Sequence, residues 1–188
     1  DYREKAPASA HRDLYLDEGG NVIPGMSTLG ATAVGVPGTI AGITEVHAKM
    51  GSLPFEEILA PVIALAKKGV IVTEKQAKSM ARQRAIIAKI NGEQSLFAQS
   101  YVAGDTIKYP ALATTITAIA KGGKKAFYEG EMAKKIAAFI QERGGFITTE
   151  DLANYEAVWR QPVIFNYKDL RIISMSPPSS GGVTMHQI

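Results

Sequence analysis

Between residues 37 and 143 the apolar positions recur at helical spacing, and glycine and proline punctuate them into separate segments. Pro37-Gly38 leads into a helix carrying Ile40, Ile43, Val46 and Met50, closed by Gly51. Pro54 opens the next, with a stripe of Phe55, Ile58, Leu59, Val62 and Ile63 and a stop at Gly69. Pro61 lies inside that stripe and lacks an N–H, so a kink or a restart is expected there. Residues 74–91 carry Ala77, Met80, Ala81, Ile87 and Ile90 among many Lys, Arg and Gln, the pattern of an exposed helix. A polar loop to Tyr109 follows. Pro110 then opens a helix with Leu112, Ile116 and Ile119 that should stop at Gly122-Gly123. Residues 131–143 form one more amphipathic segment, closed by Gly144-Gly145. The spacing directs Ile58, Val62, Ile116, Ile136 and Ile140 inward.

The period changes at both ends. Residues 1–36 are rich in Gly, Pro, Ser and Thr and read as an extended segment, a turn over 17–21 and a loop. Thr148 and Asp151 have capping-box spacing and should start a short helix near Leu152. Val163, Ile164 and Phe165, then Leu170, Ile172 and Ile173, flank a turn near Tyr167-Lys168-Asp169 and predict a hairpin. Pro162 marks its first strand as an edge or a bulge. Pro177-Pro178-Ser179-Ser180-Gly181-Gly182 reads as a tight turn into a last helix. The fold class is therefore α+β: a mainly helical body with a C-terminal β-hairpin.

Composition narrows the function. The 188 residues suit one domain, with 46% hydrophobic and 21% charged residues and a formal net charge of +3. The basic residues are dispersed in pairs such as Lys67-Lys68 and Lys124-Lys125, which argues against nucleic acid as a partner. There is no cysteine, so disulfides and thiolate metal sites are excluded. No apolar run reaches membrane-spanning length and no signal peptide is present. The chain opens Asp1-Tyr2-Arg3-Glu4 without Met and closes Met185-His186-Gln187-Ile188 without a helix stop, so both ends read as cut from something longer.

Chemistry-bearing motifs are sparse. No GxGxxG or P-loop pattern occurs, and His11, His47 and His186 lack metal-ligand spacing. No metal or cofactor is expected. The Ser179-Ser180-Gly181-Gly182 turn could hold an anion at a helix start, but a turn whose serine caps a helix accounts for it with less. Arg3 is either half of a surface salt bridge with Glu4 or Asp1, or a bidentate clamp for a carboxylate. Composition does not separate the two.

Several separated stretches together do. Arg3-Glu4-Lys5-Ala6-Pro7, Gly35-Val36-Pro37-Gly38-Thr39 with Gly42, and Leu65-Ala66-x-x-Gly69 appear in order. Gly104-Asp105 through Leu112-Ala113-x-Thr115, Ala126-Phe127-Tyr128-x-Gly130 and Gly144-Gly145-x-Ile147-Thr148-x-Glu150-Asp151-Leu152-x-x-Tyr155 follow, then Met175-x-Pro177-Pro178-Ser179-Ser180-Gly181-Gly182. In order and spacing this series resembles the γ-glutamyltranspeptidases from end to end. His11, where a small residue such as Thr is common, and Asp169, where Gly is common, depart from the pattern.

The resemblance implies an N-terminal-nucleophile hydrolase with a four-layered αββα sandwich, made by a precursor that cleaves itself into two subunits. The new N-terminal Thr of the small subunit attacks the γ-glutamyl amide of glutathione or a related donor. The acyl group then passes to water or to acceptor amino acids or peptides. On this reading residues 1–188 are a single partial domain internal to the large subunit, without a catalytic residue and inactive alone. Arg3 binds the donor's α-carboxylate, the small subunit is the protein partner, and the location is periplasmic or secreted. A piece that lacks most of the sandwich strands should leave apolar helix stripes uncovered. The alternatives are a related amidase such as a cephalosporin acylase, or a non-catalytic binding module in which Arg3 pairs with Glu4.

Overall fold

The computed structural model describes residues 1–188. Seven helices and four short strands run in the order α1 (Thr39–Met50), α2 (Phe55–Lys68), β1 (Val70–Ile71), α3 (Glu74–Asn91), β2 (Thr106–Ile107), α4 (Pro110–Tyr128), α5 (Gly130–Gln141), α6 (Thr149–Ala153), β3 (Val163–Tyr167), β4 (Leu170–Ser174) and α7 (Gly181–Gln187). The strands form two separate antiparallel pairs, β1 with β2 and β3 with β4. The hairpin register runs from Val163 opposite Ser174 to Tyr167 opposite Leu170. The expected α+β class, mainly helical with a late hairpin, is the observed one.

The core that fixes the N-terminal strap is small and aromatic. Val36, Ala41, Tyr128, Ala133, Ala137, Ile147, Leu152 and Tyr155 are buried together where α1, the end of α4, α5 and α6 meet. Alanines let the helices approach closely, and two tyrosines fill the remaining volume. Their rings stack with centroids 5.6 Å apart. A second contact packs α2 on α4, with Ala66, Ala113 and Ala120 buried.

That small-residue seam corrects the inward list. On α2 it is Leu59, Ile63 and Ala66 that are sheltered, with Phe55 set against His47 of α1 at 4.7 Å, while Ile58 and Val62 are 41% and 45% exposed. Both stripes have helical spacing, and the seam takes the one ending in alanine. Ile116, Ile136 and Ile140 are half-buried. Only 20 of 188 residues are buried, and α1 leaves Ile43, Val46 and Met50 exposed, so the expected uncovered stripes are present.

Three further expectations change. The helix does not restart at Pro61 but runs through it to Lys68. One proline removes a single N–H, and the packing of α2 against α4 holds the remainder. The helix opened by Pro110 is interrupted at Gly123 (φ 58°) and then resumes to Tyr128. A left-handed residue breaks the helical path without ending the segment, which swings the Tyr128 ring into the core. The stretch before Tyr109 is not all loop, since Thr106–Ile107 pairs with Val70–Ile71.

The capping box at α6 forms as the spacing predicts. Thr148 Oγ accepts from Asp151 N at 3.0 Å, and Asp151 Oδ2 accepts from Thr148 N at 2.8 Å. Asp151 also reaches outward, its Oδ1 accepting from Ala8 N at 2.7 Å. Partial burial opposes ionisation of Asp151, but the N–H groups of Ala8 and Thr148 and the Thr148 hydroxyl outweigh it. The carboxyl is held below the ordinary value of 3.8. Because the folded value is depressed, its stabilisation is complete above the unfolded value and is lost as pH falls from there through the folded one. In the intact protein, Asp151→Ala should cost about 1–2 kcal/mol near neutral pH. Urea midpoints measured from neutral pH down to pH 2 should show the deficit closing as the wild type loses its own contribution.

Candidate functional site

Residues 1–8 form a strap across the turn that precedes α1. The strap is tied at several points because its main-chain groups have no helix to satisfy them. Lys5 and Val36 exchange N–H···O bonds of 3.1 and 2.8 Å. Asp1 and Val158 exchange two of 2.8 Å. Between them the Tyr155 hydroxyl donates to the carbonyl of Arg3 at 2.7 Å. Tyr155 is in turn stacked on Tyr128, whose hydroxyl donates to Pro37 O at 2.7 Å and accepts from Ala41 N at 3.2 Å. Burial raises the pKa of both phenols; Tyr155 is raised further by Glu4 and Tyr128 by Tyr155, with the Ala41 N–H opposing. Both remain protonated donors across the physiological range.

The approach is close at Gly38, where an added Cβ would overlap the Tyr155 hydroxyl and the Tyr2 carbonyl. Glycine is needed there for contact, since its φ of −113° is open to any residue. The Gly35-Val36-Pro37-Gly38 motif is thus a seat for the strap, and the aromatic pair is its lock.

Arg3 emerges beside an open groove of about 1010 Å³ between the strap, the segment around Trp159 and Arg160, and the end of β4 with the turn after it. Its guanidinium is exposed and has no ion-pair partner within the chain. The two salt bridges considered from sequence are both absent. Asp1 is instead engaged by Arg160, whose Nε lies 2.7 Å from Asp1 Oδ2. Trp159 is held edge and face: its Nε1 donates to Glu45 at 2.8 Å, and Lys49 Nζ sits 3.9 Å from the ring centroid. A fork-shaped cation thus stands unpaired at the rim of a concavity, on a main chain fixed by three neighbouring elements. That arrangement suits a planar anion, a carboxylate above all.

The Ser179-Ser180 turn, read from sequence as helix capping, lines the same groove through Ser179. Ser180 at the N-cap of α7 makes no side-chain cap bond, and the Ser179 hydroxyl accepts only a long 3.4 Å bond from Gly181 N. The helix is one short amphipathic piece held by the hairpin, where His186 stacks on Phe165 at 4.6 Å. Sequence reasoning did not single out Tyr155 and Arg160 as supports of Arg3, or Trp159 as a wall of the groove. Their partners lie more than a hundred residues away, and no local pattern marks such pairings.

Comparison with known proteins gives one family. The family model described as gamma-glutamyltranspeptidase matches residues 1–188. The glutathione hydrolase proenzyme of Pseudomonas aeruginosa is 40% identical over 190 residues, covering 100% of this chain and 34% of its own length. The crystal structure of Helicobacter pylori gamma-glutamyltranspeptidase superposes with a TM-score of 0.95 at 39% identity, covering 100% of this chain and 55% of that one. The cephalosporin acylase of Bacillus halodurans is more distant, with a TM-score of 0.79 and 26% identity over 94% of this chain and 34% of that one. The chain spans about a third of the length of the curated relatives it matches.

Proposed function

Because this chain belongs to the γ-glutamyltranspeptidase family, we propose that it is an internal, single-domain part of the large subunit of an enzyme that cleaves γ-glutamyl amides. Glutathione is the principal donor on this reading, and the γ-glutamyl group passes to water or to an amino acid or peptide acceptor. The observation that carries the proposal is the unpaired Arg3 guanidinium, fixed by its main chain at the edge of the groove. The donor's α-carboxylate is the planar anion it would take, in paired N–H···O bonds. The γ-amide then projects away from Arg3 towards a nucleophile supplied by the small subunit.

The chemistry follows from the family. The small subunit's N-terminal Thr, with its own α-amine as base, adds to the γ-carbonyl carbon. Backbone donors hold the oxyanion as the C–N bond breaks and the amine leaves with the transferred proton. Water or an acceptor amine then takes the acyl group and regenerates the Thr hydroxyl. Residues 1–188 contribute binding and orientation, which alone can supply a large part of a rate enhancement. The uncovered faces of α1, α2 and the hairpin are the surfaces that the rest of an αββα sandwich would cover, the small subunit included. No helix is long and apolar enough to cross a membrane. By family, the site of action is the periplasm or the medium.

Two observations weigh against the alternatives. A binding module in which Arg3 pairs with Glu4 needs that ion pair, and none forms between them. An acylase reading rests on the more distant relative. The test is direct. The intact processed protein given glutathione should release glutamate and cysteinylglycine, and the purified 188-residue chain should release neither. Turnover by the isolated chain with contamination excluded, or an intact protein that leaves glutathione untouched, overturns the reading.

A further inference from the structure

The groove contains a second arginine that the reading of Arg3 leaves unused. Arg160 lies between α6 and β3, with its side chain 46% exposed, and its Nε donates to Asp1 Oδ2 at 2.7 Å. The Asp1 side chain is 17% exposed, and its other oxygen, Oδ1, accepts from the Arg3 N–H at 3.0 Å. Asp1 therefore does two things at once: it fixes the main chain of Arg3 and it neutralises Arg160. It is also a carboxylate two residues from Arg3, within reach of that long side chain. An internal carboxylate tethered so close competes with any external one at a high effective concentration.

We propose that Arg160 is a positioning and specificity residue for the carboxylate end of the donor. It holds Asp1 away from the Arg3 guanidinium, so that Arg3 meets the ligand's carboxylate and not its neighbour's. The proposal rests on the reading of Arg3 as the carboxylate clamp. Without Arg160 the Asp1 carboxylate loses its partner and turns to the remaining free guanidinium, Arg3. The site then inhibits itself. The ordering contact between Asp1 Oδ1 and the Arg3 N–H weakens in the same step.

The experiment uses the intact processed enzyme and two donors, a γ-glutamyl anilide and the corresponding γ-aminobutyryl anilide, which lacks the α-carboxylate. Arg160→Ala should raise KM for the first about fivefold, the strength of one exposed ion pair, with kcat little changed. It should leave the second donor unaffected. Adding Asp1→Asn should return KM for the γ-glutamyl donor towards wild type, since asparagine keeps an acceptor for the Arg3 N–H but no charge to offer its guanidinium. Arg160→Gln, which keeps a donor group for Asp1, should fall between wild type and alanine. It also repeats the double-variant test should Arg160→Ala not fold. Equal losses on both donors would make Arg160 merely structural and overturn the proposal. So would an unchanged KM, or a loss that Asp1→Asn fails to relieve, which would place Arg160 on the donor itself. Arg3→Ala, run alongside, separates the premise: if it leaves the preference for the γ-glutamyl donor intact, the clamp reading fails first and this one with it.

Discussion

Replacing Arg3 by alanine in the intact enzyme should lower kcat/KM on glutathione by the equivalent of about 2–5 kcal/mol, the cost of leaving a charged partner unpaired in a partly desolvated site. The loss should appear mainly in KM, because the carboxylate is remote from the reacting bond and is held alike in the ground and transition states. Arg3→Lys should be little better than alanine. Lysine restores a point charge but not the planar fork of two parallel donors. The geometry supports this expectation on two counts. The Arg3 guanidinium has no ion pair to break within the chain, so the folded structure should tolerate its removal. Its main chain is bonded to Tyr155 Oη and Asp1 Oδ1, and neither bond depends on the side chain. Thermal midpoints of wild type and Arg3→Ala should therefore agree while KM separates them. A large fall in midpoint would identify Arg3 as a packing residue.

Gly38→Ala should show the opposite pattern. A Cβ at Gly38 would occupy the space of the Tyr155 hydroxyl and the Tyr2 carbonyl, a rigid phenol and a backbone atom. Neither can move aside without opening the stack of Tyr155 on Tyr128 or the strap itself. Overpacking of this kind should cost about 3 kcal/mol. The Tyr155 bond to Arg3 O would break with it, so donor use should fall together with stability. Gly181→Ala is the control, because its added Cβ meets only Ser179 Oγ at 3.6 Å. That change should be neutral or slightly stabilising, as alanine favours the helix. Chemical denaturation of the two variants checks both expectations.

Local physics carried most of the fold into the sequence. Pro54, Gly69, Pro110 and Gly144 mark helix ends because each has a backbone limitation visible in one residue. The Thr148–Asp151 box was legible for the same reason: its donors and acceptors lie three residues apart. The inward faces were harder to read. On α2 two stripes satisfied the helical period, and the choice between them was made by the alanines of α4, which no reading of α2 alone contains. Gly123 was legible as a break but not as the point where the chain resumes its helix and delivers Tyr128 to the core.

The site was legible in part. The family series that begins with Arg3-Glu4-Lys5-Ala6-Pro7 pointed to Arg3, while its local sequence left both a surface salt bridge and a carboxylate clamp open. What makes it available is long-range: Tyr155 at its carbonyl, and Arg160 on the carboxylate that Arg3 could otherwise have taken. Those pairings join residues 152 and 159 positions apart, and they exist only once α1, α4, α5 and α6 have closed around two tyrosines.

The central claim is that Arg3 clamps the α-carboxylate of the donor. A crystal structure of the intact processed enzyme with glutamate in its donor site measures this most directly. The account predicts two Arg3 guanidinium nitrogens at about 2.7–2.9 Å from the two carboxylate oxygens, with Asp1 still on Arg160. A glutamate whose α-carboxylate is bound elsewhere, with Arg3 turned to solvent or paired with Asp1, would contradict it.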